Sequence, residues 1–88
     1  MCTNIVERAA VEGSGRGQQG WFQVVDAHVS YDHPFHAPAL HSLNIDFVDG
    51  TGGLDNRVAV ELTVDSARRL AHAILAAVEQ AAAFEAQR

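Results

Sequence analysis

The chain has 88 residues, with 11 Asp and Glu against six basic residues, all arginine, for a formal charge of −5. That length fits one domain, residues 1–88, which buries only roughly 60–65% of its unfolded surface and is marginal alone. One cysteine excludes an internal disulfide, and an acidic balance without a basic cluster argues against nucleic acid.

Four extended segments precede one helix. Residues 3–11 alternate Ile5, Glu7, Ala9 and Val11 against Asn4, Val6, Arg8 and Ala10, an imperfect strand pattern. Residues 12–20 carry four glycines and read as a flexible connection. Residues 21–31 form a second strand, with Trp21, Val25, Ala27, Val29 and Tyr31 on one face, Gln23 being the exception, and Asp26, His28 and Ser30 on the other. Pro34 and Pro38 then forbid a regular helix or central strand. Residues 41–48 are the clearest strand, with His41, Leu43, Ile45 and Phe47 on one face. After the turn-rich residues 49–56, a fourth strand over 57–64 turns Val58, Val60, Leu62 and Val64 inward.

The helix is expected over 64–86. Thr63 suits the N-cap and Asp65 complements the dipole in the first turn. Leu70, Ile74, Leu75, Val78 and Ala82 step by three and four into one apolar stripe. The order gives an α+β fold: a four-stranded, mainly antiparallel sheet with one C-terminal helix across it. Four strands at about 4.8 Å spacing make a sheet roughly 19 Å wide. One helix covers only about 10–12 Å of that width. Half the apolar face would stay wet, so a homodimer is expected.

The opening residues meet Glu7 and Arg8 without a preceding apolar stretch, unlike a signal peptide. No apolar run approaches the roughly 18 residues that span a bilayer. The expected location is the cytoplasm, with no membrane partner.

Four of the five histidines fall between His28 and His41. Imidazole is a common ligand for zinc, copper, nickel and iron. His33, His36 and His41 sit on a proline-stiffened loop and the mouth of the third strand, a plausible metal set, with Asp32 as ligand or outer acceptor. Parity puts His28 on the opposite face from His41, so His28 is a lesser candidate. Cys2 is another, because loss of Met1 would join its thiolate to the terminal amine. The spacing His-x2-His-x4-His is not a specific ligand signature, and the same histidines also read as structural or solvated.

Other features carry less. Gly15, Gly17 and Gly20 match G-x-G-x-x-G formally, but a strand follows where a dinucleotide site needs a helix. Asp26, Asp46, Glu61 and His28 share the outer face, where crowded carboxylates could do acid–base work or simply be solvated. His72 borders the helical stripe.

Taken together, Met1-Cys-Thr, Val11-Glu-Gly-Ser-Gly, Gly20-Trp-Phe, Asp32-His-Pro, His36-Ala-Pro, His41-Ser-Leu-Asn-Ile-Asp-Phe47 and Arg57-Val-Ala-Val-Glu-Leu62 resemble a family of short actinobacterial proteins of unknown function. The resemblance spans nearly the whole chain and implies a small intact intracellular protein. It carries no activity and no catalytic residue. The leading expectation is a soluble homodimer that binds a transition metal through His33, His36 and His41. The alternatives are a non-enzymatic binding or assembly module with structural histidines, and a metal-free enzyme using His and Asp on the open sheet face. The small-molecule ligand, if any, is not specified by the sequence.

Overall fold

The computed structural model describes residues 5–34, 40–51, 53 and 56–87. Strands β1 (Val6–Gly17), β2 (Gly20–Asp32), β3 (Ser42–Val48) and β4 (Arg57–Leu62) precede helix α1 (Val64–Ala86). The strands form one antiparallel sheet in the order β1-β2-β3-β4. The expected ββββα architecture is therefore present.

Cross-strand partners share a face, so the register sorts the side chains. Ala27–Phe47–Val58, Val29–Ile45–Val60 and Tyr31–Leu43–Leu62 make three apolar rows across β2, β3 and β4. The intervening rows, Asp26–Val48–Arg57, His28–Asp46–Ala59 and Ser30–Asn44–Glu61, are mainly polar. Alternation in the sequence thus produces a sheet with one apolar face.

The hairpin departs from expectation. The glycine-rich segment is not a flexible connection: β1 runs through it to Gly17, which pairs with Gly20 and leaves only Gln18 and Gln19 in the turn. Gly20 takes φ +112°, a conformation that L side chains rarely adopt. Gly15 has a packing reason. A Cβ there would lie 3.0 Å from Val24 Cγ2 and 3.3 Å from Phe22 Cζ. Glycine lets β1 close on its neighbour.

A register shift between Ala10 and Gly13 sets Val11 and Glu12 against Val25. This β-bulge accompanies a change of phase in β2. Phe22, Val24 and Ala27 are its buried apolar residues, and the step from 24 to 27 is odd. Trp21, expected on the apolar face with Val25 and Ala27, is 72% exposed.

The helix begins where predicted. The Thr63 hydroxyl accepts the Ser66 N–H at 3.1 Å, and Asp65 accepts from Arg68. Its packing differs. Only Ser66 and Ala67 are half-buried, and residues 68–87 are all exposed. α1 meets the sheet chiefly along β3, instead of lying across the apolar face. β3 begins one residue later than expected, and β4 ends at Leu62, because Thr63 breaks away as the cap.

Candidate functional site

Two places concentrate chemistry or concavity: the histidine end of the sheet, and a cleft inside its curl.

At the first, Tyr31, His41 and His33 form a column of rings. The Tyr31 and His41 centroids are 5.2 Å apart with planes 20° apart, and those of His41 and His33 are 4.7 Å apart at 26°. Two contacts fix His33. Its backbone N–H donates to Asp32 Oδ1 at 2.7 Å, and its Nδ1 lies 3.2 Å from the Leu40 carbonyl oxygen. A carbonyl only accepts, so Nδ1 carries a hydrogen, and in the neutral ring the lone pair is then on Nε2. At the start of β3, Ser42, fully buried, donates its hydroxyl to Asn44 Oδ1.

Two of the three leading histidines, His33 and His41, are thus brought together with Asp32 beside them. His36, Pro38 and Cys2 lie outside the described residues. His28 pairs in register with Arg8 and Asp46 on the polar face, apart from the ring column. Imidazole lone pairs lie in the ring plane, and near-parallel planes do not converge on one ion at about 2.0–2.1 Å. A shared metal would need a ring to turn. Among the described residues, no group of three or more His, Cys, Asp or Glu is placed to hold a metal ion.

The polar face is arranged for charge pairing. Arg8 donates to both Asp26 carboxylate oxygens, at 3.0 and 2.9 Å, and Arg57 donates to Asp46 Oδ1 at 2.7 Å. The hydrogen bond from Arg8 holds the Asp26 carboxyl below its ordinary range, outweighing desolvation. Acid–base work by Asp26 would need the opposite shift. Asp49 is also lowered, chiefly by the Thr51 backbone N–H, with help from Asn56 and the Thr51 hydroxyl. It organises the turn after β3.

The second place was not read from the sequence. β1 and β4, the two edges, approach one another as the sheet curls. A cleft of about 390 Å³ opens inside, lined by Val11, Val24, Phe47 and Val58, one residue from each strand. Trp21, Glu12 and Arg16 also border it. The sequence signal was the break in alternation at Val11-Glu-Gly, where the register of β1 against β2 shifts, a device that bends a strand.

These features define a small α+β domain: a curled antiparallel meander with an apolar hollow and one C-terminal helix. The chain belongs to a family of unknown function, DUF6295, which matches residues 1–87. No curated protein and no solved structure gives a significant match. Among the described residues, no helix is long and apolar enough to cross a membrane.

Proposed function

We propose that this protein is a binding module whose curled sheet takes a small, mainly apolar molecule in the cleft between β1 and β4. The observation that carries this reading is the cleft itself. Its volume, about 390 Å³, falls within the roughly 300–1,000 Å³ of small-molecule pockets, which are typically apolar with a few polar groups. Val11, Val24, Phe47 and Val58 supply the apolar walls, and Arg16 and Glu12 supply charge beside them. The arginine-paired carboxylates of the other face favour binding over acid–base catalysis.

The anionic dye anilinonaphthalene sulfonate, whose aromatic rings seek apolar surface, provides the probe. Binding to the wild type, with at least a tenfold loss in Val58→Arg at unchanged circular dichroism, is the expected result. Equal dye binding by the two proteins would sink the reading.

A second reading rests on the ring column. His33 and His41 lie close together, with the lone pair of His33 directed to Nε2 by the Leu40 carbonyl. With His36 as third ligand and Asp32 nearby, this end could bind zinc, copper, nickel or iron after a ring turns. Cys2 is a further possible donor, and His28 is on the wrong face. Metal analysis of untagged protein decides it. Substoichiometric metal that does not rise when these ions are added would end this reading. Metal lost on His33→Ala or His41→Ala, but kept in His28→Ala, would support it.

A further inference from the structure

The helix is the least satisfied part of the molecule. Its apolar stripe is only partly covered: Leu70 is 42% exposed, Ile74 54% and Val78 55%. These residues recur every fourth position and occupy an arc of about 80° at the helical 100° per residue. Water is an expensive surrounding for such a stripe. The apolar sheet face is also incompletely covered. Its rows Val29–Ile45–Val60 and Tyr31–Leu43–Leu62 are only half-buried, and Val60 reaches 37% exposure.

Whole-chain dimensions quantify the deficit. The accessible surface is 6829 Å² for 9.5 kDa, whereas a compact monomer of that mass exposes about 5,050 Å². The radius of gyration is 14.9 Å, against about 12 Å for a compact domain of this length. The excess of about 1,800 Å² per chain falls inside the roughly 1,000–2,500 Å² that each partner buries in an obligate homodimer.

We propose that the protein is a two-fold dimer in which each α1 lays its Leu70–Ile74–Val78 stripe on the partner's apolar sheet face, over Ile45, Val60 and Leu62. A second copy is the occupant the surfaces specify, because each chain carries both an incompletely covered stripe and an incompletely covered face. A two-fold axis satisfies both at once. Pairing helix with helix would bury the stripes and leave both sheet faces wet. Each copy carries −5, so charge opposes association and apolar burial drives it. Salt therefore strengthens this dimer.

Light scattering on the full chain should give twice the 9.5 kDa chain mass. Ile74→Glu and Val60→Glu should each halve that mass, and Ala76→Glu, on the exposed side of the helix opposite the stripe, should not. A wild-type monomer overturns the proposal. So does a dimer that survives Val60→Glu but not Ile74→Glu, which is the signature of helix-on-helix pairing. Milder variants guard against misfolding. In a Cys2→Ser background, Ile74→Cys and Val60→Cys proteins are mixed and oxidised. Heterodimeric disulfide in excess of either homodimeric product is expected, and disulfide confined to Ile74→Cys alone refutes the arrangement. Dye binding in the cleft is scored separately, so either proposal can fail without the other.

Discussion

Gly15 shows how a single absent side chain shapes the hairpin. The space its Cβ would enter is held by Val24 and Phe22, two of the few buried apolar residues. Gly15→Ala forces these neighbours to give way and should cost about 1–3 kcal/mol, the range of core overpacking. A lower urea midpoint with unchanged slope is the measurement. An unchanged or higher midpoint would mean the glycine is there for backbone freedom alone. Read as sequence, Gly13, Gly15, Gly17 and Gly20 all suggest looseness. The structure divides them by reason, with close approach at Gly15 and a positive φ at Gly20.

At the level of elements, the polar face is laced by two diagonal contacts between neighbouring strands, Arg8 with Asp26 and Arg57 with Asp46. Asp26 is lowered in the folded state by Arg8. A depressed carboxyl contributes stability that is fully present above its unfolded value of about 3.9 and lost as pH falls through the folded value. Asp26→Asn should therefore melt below the wild type at neutral pH, with the gap closing below about pH 4. A gap that widens on acidification would contradict this sign. Period and capping made the elements downstream legible. The α1 bounds follow from the Leu70-Ile74-Val78 spacing and Thr63, and β3 from alternation between Leu43 and Phe47. β1 was not legible beyond Val11, because a glycine-rich strand leaves no side-chain period to read. Trp21 was read with the covered residues for a related reason and is exposed. A bulge is a matter of pairing between strands, and one strand's sequence does not carry its partner's register.

At the scale of the molecule, four strands make a sheet wider than one helix can cover. The structure enlarges that shortage of cover by leaving residues 68–87 exposed. The candidate sites were legible unevenly. His33 and His41 meet as their loop position suggests, whereas the cleft depends on curl, which brings together Val11 and Val58 from opposite edges. Strand order that repeats chain order has a kinetic corollary. Every pairing in the meander joins segments adjacent in sequence, and the first needs only a two-residue loop at Gln18-Gln19. Loop-closure entropy is then modest at each step, and the two-residue loop favours early closure of the hairpin. A chain so organised can complete its sheet within one molecule before a second copy is ever met.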